Sequence, residues 1–201
     1  MKFLLFAVSI FFIHFSFFSC SSDTRPANDR SIPLMEFVVD QALLGDVFRD
    51  STLNVEFQPP ARWTKADAQT KEMVAALIDS LSRYPVRLTE IFYDSASQSV
   101  AVLSDLSEVD TELYGKITSE YEQVFNAGKT WDDVKMATFR FNNLTAHQLL
   151  LQNQQMVNFK LLFFKNLDNK FQVDYIVPRQ VYAEKVRHIE SSIGSIRRMK
   201  K

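Results

Sequence analysis

Cys20 is the only cysteine in the chain, and it sits where a long apolar run gives way at once to polar sequence. A lone thiol closes no intramolecular disulfide and builds neither a CxxC redox pair nor a cysteine-rich zinc site. It can still carry a lipid as a thioether. The other chemistry-bearing residues are scattered. His147 and His188 lack the HExxH spacing of a zinc hydrolase, so we assign no metal ligand. Glu90 and Asp94 share a strand face if pairing is regular, and Asp174 lies on another strand. A glycosidase would need two such carboxylates about 5–9 Å apart in a cleft, which this sequence spacing does not supply. Serines are abundant, but no GxSxG elbow or SxxK occurs. Asn143-Leu144-Thr145 has the form of a glycosylation acceptor and reads as a turn. Trp63 and Trp131 stand near element boundaries, where either could line a groove. Phe139, Phe141 and Tyr175 could hold a small apolar ligand between sheet and helices. These five residues form the candidate ligand or partner surface. No catalytic residue and no cofactor is assigned.

The segment before Cys20 has the layout of a signal peptide. Lys2 supplies positive charge, and Phe3 to Phe18 is apolar apart from Ser9, His14 and Ser16. A membrane span needs about 20 apolar residues, so this run is short for one and suits a signal-peptide core. No A-x-A cleavage pattern follows it. Phe17-Phe18-Ser19-Cys20 instead resembles the lipobox of bacterial lipoproteins, with Phe17 where that family usually has Leu and Phe18 where it usually has Ala, Ser or Thr. The resemblance implies cleavage after Ser19, a diacylglycerol thioether on Cys20 and further acylation of the freed amine. Residues 1–19 would then be the signal peptide and 20–31 a lipidated cysteine with a flexible tether. Ser21 after the cysteine implies outer-membrane sorting, hence a protein anchored in the bacterial cell envelope through Cys20. The other readings are a secreted protein cut elsewhere and an uncleaved signal anchor. The tether, Ser21 to Ser31, is polar and reaches at most about 36–40 Å when extended.

Residues 32–201 fit one globular α/β domain. The formal net charge of the chain is −1, so no strong field draws in nucleic acid. The basic run Arg197-Arg198-Met199-Lys200-Lys201 reads as a solvated helix end, where cations are favoured. With only four glycines the chain holds no glycine-rich phosphate loop.

The pattern along the chain predicts the elements. Residues 34–50 are ambiguous; Phe37, Gln41, Leu44 and Phe48 would make a helical stripe weakened by Gly45. Leu53, Val55 and Phe57 alternate as a strand that Pro59-Pro60 ends. Thr64 can cap a helix from Lys65 to Arg83, with Met73, Val74, Leu77, Ile78 and Leu81 inward. Arg87–Tyr93 and Ser99–Leu103 form a hairpin. A second helix is expected over Val109–Ala127. Four more strands follow: Lys135–Phe141, Leu144–Leu151 after an Asn142-Asn143 turn, Val157–Lys165, and, after a turn at Asn166–Asn169, Phe171–Val177. Phe159 to Phe164 is apolar on both pleat faces at its end, so this strand should be central and covered on both sides. A last helix spans Val181–Met199, its face made by Tyr182, Val186, Ile189, Ile193 and Ile196.

Two stretches carry a family likeness. "LNVEFQPPARW", Leu53 to Trp63, and "FKLLFFKNLDNKFQVDYIVPRQVYAEKVRHIESSIGSI", Phe159 to Ile196, together resemble the Mog1/PsbP-like family. The resemblance implies an α+β fold, a mainly antiparallel sheet of about seven strands flanked by helices in an α/β/α sandwich. It also implies a non-enzymatic accessory or protein-binding module and transfers no catalytic residues. We therefore expect an envelope lipoprotein with a protein partner. The alternatives are a carrier of a small apolar ligand and a hydrolase.

Overall fold

The computed structural model describes residues 32–81, 84–110, 112–113, 115–116, 131–164 and 169–199. Its strands, in chain order, are Phe48–Asp50 (β1), Val55–Phe57 (β2), Thr64–Lys65 (β3), Arg87–Asp94 (β4), Ser99–Asp105 (β5), Asp133–Phe141 (β6), Leu144–Gln152 (β7), Met156–Phe163 (β8), Phe171–Pro178 (β9) and Arg197–Arg198 (β10). The two full helices are Ala68–Leu81 (α1) and Tyr182–Ser195 (α2). Glu112, Leu113, Gly115 and Lys116 are also helical. The rest of the helix expected up to Ala127 lies outside the described residues. So do most of the turn at Asn166–Asn169 and everything before residue 32, Cys20 included.

Seven strands make one sheet in the order β3-β4-β5-β9-β8-β7-β6, every neighbour antiparallel. This is the α+β class expected from the pattern. Local chemistry sets the hairpins. Asn142 and Asn143 take φ of 45° and 62°, the left-handed values a two-residue turn needs and Asn tolerates. Asn153 accepts backbone N–H bonds from Gln155 and Met156 through its Oδ1 and so closes the β7–β8 turn.

The pleat divides the core in two. Ala101, Leu103, Phe139, Phe141, Val157, Phe159, Leu161, Phe163, Phe171, Val173, Tyr175 and Val177 point to one face. There they meet Ile189, Ile193, Tyr182 and Val186 of α2. Leu149, Leu151 and Leu162 point the other way, toward Ile78 of α1, Leu113 and Trp131. Strand β8 is buried from Val157 to Phe163, with cover on both faces.

Two expectations need correction, and the ambiguous residues 34–50 take a definite form. Thr64 does not cap α1. Thr64 and Lys65 pair with β4 as an edge strand, and Asp67 caps instead, its Oδ1 accepting the Thr70 N–H at 2.7 Å. Met73, expected inward on α1, is 67 % exposed. The last helix stops at Ser195 rather than Met199. Ile196 is extended, and Arg197-Arg198 pair with β2 rather than forming a solvated helix end. Strand β2 thereby becomes the middle of a second, three-stranded sheet, β1-β2-β10. Residues 34–50 are not a helix; they hold one short 3₁₀ turn, Gln41–Leu43, and strand β1.

Residues 33–40 form an extended strap. Leu34 makes a parallel bridge to Arg140 on the outer side of β6. Met35 donates its N–H to the Arg140 carbonyl, and Arg140 donates to Pro33, both at 2.8 Å. The Phe37 ring then lies 5.9 and 5.2 Å from those of Phe139 and Phe141. The Asp40 N–H reaches Ser191 Oγ on α2 at 3.2 Å. Beneath the strap is Gly194, where a Cβ would meet Phe37 Cβ at 2.5 Å and Val39 Cγ2 at 2.8 Å. Overpacking costs about 1–3 kcal/mol, against about 1 kcal/mol that alanine gains over glycine in a helix. Gly194→Ala should therefore destabilise the fold by lifting Phe37 from its neighbours. Urea denaturation reads this as a lowered midpoint, and an unchanged or raised midpoint would contradict the close approach.

Candidate functional site

The residues named from sequence fall into two places. Phe139, Phe141 and Tyr175 are exposed by 3 % or less and belong, with Trp63, to the first core. Their rings are met by other rings. Phe141 lies 6.1 Å from Phe163, and Trp63 lies 6.4 Å from Tyr175. Trp131 is half-buried against the second core, so the five do not form one surface. Tyr175 has a polar anchor as well. Its hydroxyl and Ser192 Oγ are 2.8 Å apart, and Ser192 donates onward to the Gln58 carbonyl at 2.6 Å. The phenol must therefore be the donor to Ser192. Burial raises its pKa well above the ordinary phenol value, with Ser192 only partly opposing, so the group stays neutral. Cys20 lies outside the described residues.

The carboxylates are each met by a cation. Glu90 and Asp94 do share a pleat face, but they part company there. Glu90 lies 2.6 Å from Lys65 Nζ and 3.6 Å from Lys71 Nζ, whereas Asp94 lies 3.0 Å from Lys185 Nζ. Glu56, in the middle strand of the small sheet, sits between Arg49 and Arg197 at 2.9 and 2.6 Å. His147 Nδ1 is 2.9 Å from Thr138 Oγ1, and His188 is half-buried. Among the described residues no group of three or more His, Cys, Asp or Glu could hold a metal ion.

The sheet's second face carries a polar centre that the sequence reading missed. Adjacent strands β8 and β9 align Lys160 with Asp174 and Asn158 with Ile176, while β5 sets Ser104 opposite Gln172. Lys160 Nζ lies 2.7 Å from Asp174 Oδ1, with both side chains under a tenth exposed. Gln172 Nε2 donates to Asp174 Oδ2 at 2.9 Å, and Tyr84 OH is 3.5 Å from Gln172 Oε1. Among the described residues, Ser104 Oγ and Asn158 Oδ1 are buried without a hydrogen-bond partner. The signal was present in the chain. Asn158-x-Lys160 and Gln172-x-Asp174 each put two polar residues at i, i+2 inside otherwise apolar strands, which aims all four at one face.

Arg87 stands at the end of the main sheet's first hairpin between two clefts of about 270 and 220 Å³. The first is lined by Pro85, Val86, Ser107 and Glu108, the second by Asp50, Thr52 and Leu53, and Arg87, Leu88 and Asp105 border both. Arg87 pairs with Asp105, whose Oδ1 also accepts from Ser107 Oγ at 2.5 Å. Burial pushes the Asp105 pKa up, but Ser107 and Arg87 together bring it below the ordinary value. Glu56 is lowered chiefly by its hydrogen bond to Arg197, against opposing desolvation. Asp67 and Asp94 are lowered too. Among the described residues every shifted carboxyl is thus shifted toward the carboxylate. A general acid at neutral pH needs the opposite shift. These ionised groups lock strands and turns together.

No family model matches the chain, and no curated protein matches it. Among solved structures it is similar to the solution structure of cyanobacterial PsbP (CyanoP) from Synechocystis sp. PCC 6803, with a TM-score of 0.47 and 11 % identity over 80 % of this chain and 95 % of that one.

Two outcomes follow from the charges. Removing one partner of a buried ion pair costs about 3–5 kcal/mol, whereas replacing both with apolar residues is often close to neutral. Lys160→Met should lower the urea midpoint strongly, and Lys160→Met with Asp174→Leu should recover most of the loss; no recovery would mean that the pair is not the source. The second concerns acid. Asp105 and Glu56 have folded pKa values below their ordinary 3.8 and 4.5. Their contribution is complete above those ordinary values and fades as pH falls below them toward the folded ones. The thermal midpoint should therefore be insensitive to both groups from pH 7 to 5 and fall below about pH 4. Asp105→Asn, scanned across pH by circular dichroism, should flatten part of that fall.

Proposed function

We propose that the chain is a bacterial envelope lipoprotein, anchored through Cys20 in the outer membrane, whose folded part is a non-enzymatic, protein-binding accessory module. One observation carries the reading: the sole cysteine follows a small residue at the end of a signal-like apolar run and opens a polar stretch of 11 residues before Ser31 gives way to Ile32. Each buried methylene of an acyl chain is worth about 0.8 kcal/mol, and two chains hold where one alone is marginal. Anchoring would confine the domain near the bilayer and raise its effective concentration for envelope partners.

Palmitate labelling tests the anchor. The wild-type chain should take up radiolabelled palmitate and lose residues 1–19, and Cys20→Ala should do neither. Equal labelling of both, or a wild-type chain found in the soluble fraction, would sink the assignment.

A further inference from the structure

The strap has an inner and an outer side. Phe37 and Val39 turn inward onto Phe139, Phe141 and Gly194. Leu34 and Val38 turn outward, exposed by 67 and 84 %; between them Met35 is 41 % exposed and Glu36 is exposed as well. Three large apolar side chains so open, within five residues, are a cost in water that a soluble surface does not need. They lie beside β6, the edge strand, where Met136 is 43 % exposed and Arg140 is exposed on the same pleat face as Met136. The position of this patch in the chain points to what covers it. Leu34 stands 14 residues after Cys20, so a chain anchored there holds the patch within about 50 Å of the bilayer at full extension. The opposite edge of the sheet, β3 and β4 with α1 packed on β4, carries the Arg87 clefts.

We propose that this flank, the strap and the outer side of β6, rests on the phospholipid surface. Leu34, Met35 and Val38 enter the boundary between headgroups and acyl chains, and Arg140 meets headgroup phosphate. The inference rests on the anchoring proposed above. It adds a defined orientation, in which the Arg87 edge faces away from the membrane.

Hydroxyl-radical footprinting with mass spectrometry reads the orientation. Lipidated protein is reconstituted at low density in phosphatidylethanolamine/phosphatidylglycerol vesicles and compared, in detergent-free solution, with the chain that carries Cys20→Ala and lacks residues 1–19. Oxidation at Leu34, Met35 and Val38 should fall several-fold on vesicles, while Met73 on α1 keeps its rate. Leu34→Asp with Val38→Asp alters only exposed positions and should restore oxidation of Met35. Unchanged rates at all three positions would overturn the proposal, as would protection that appears only at high surface density, which would mark contact between copies. The full chain coupled through Cys20 to maleimide-headgroup lipid separates the two readings. Protection there, with no palmitate on the native chain, overturns the anchor and leaves the lipid-facing flank standing.

Discussion

Pairing between β8 and β9 is the constraint on which the rest of the fold depends. The two strands lie in the middle of the main sheet; one face of each is wholly apolar, and the other carries Asn158, Lys160, Gln172 and Asp174 beside Leu162 and Ile176. In the observed register Lys160 meets Asp174 on one face, and Phe159, Leu161 and Phe163 meet Tyr175, Val173 and Phe171 on the other. A slip of one residue would send a lysine and an aspartate into the aromatic core and leave the rings against polar partners. A buried ion pair adds little net stability, but it penalises wrong registers heavily. Once this ladder is set, β5 and β7 are placed on its outer sides, and the two cores have their walls.

The charged rows at the periphery repeat the same device at lower cost. Arg49, Glu56 and Arg197 lie side by side across the three strands of the small sheet. The two arginines are half exposed or more, so their attraction to Glu56 is weakened by water while the carboxylate itself is buried. Glu56 ties the first and last strands of the described chain into one sheet. Asp94 similarly joins the first hairpin of the main sheet to α2 through Lys185. Ionised carboxylates thus serve as cross-braces between elements far apart in sequence.

Much of this architecture was legible in the residues. The four strands from Asp133 to Pro178 announce themselves through period-two alternation and through Asn pairs at turns, because one face of each must be buried. The inward face of α2 was readable for the same reason at helical period. The failures cluster where a distant element decides. Arg197 and Arg198 would extend a helix in isolation, yet β2 needed a partner strand. Phe37 has helical spacing to Gln41 and Leu44, but Phe139 and Phe141 offered it a better seat than a helix would. Thr64 can cap, but a free β4 edge claimed it. The polar centre was missed because Phe159–Phe164 was weighed for its apolar end, and the paired Lys160 and Asp174 become a site only when the two strands are laid side by side. Of the aromatic residues that could form a ligand surface, Trp63, Phe139, Phe141 and Tyr175 are core residues closed to solvent, and Trp131 is half-buried.

The strap has a mechanical consequence. Any pull arriving through Ile32 meets the folded body first at two backbone hydrogen bonds, between Met35, Pro33 and Arg140. The next resistance is a single aromatic side chain wedged over Gly194. The seven-stranded ladder lies behind both, with far more bonds in its rows. Traction on the chain would therefore peel residues 33–40 away and bare the rings of Phe139 and Phe141 before the sheet itself yields. The fold carries a weak link at residues 33–40, and the core beneath it would be the first interior surface to meet the outside.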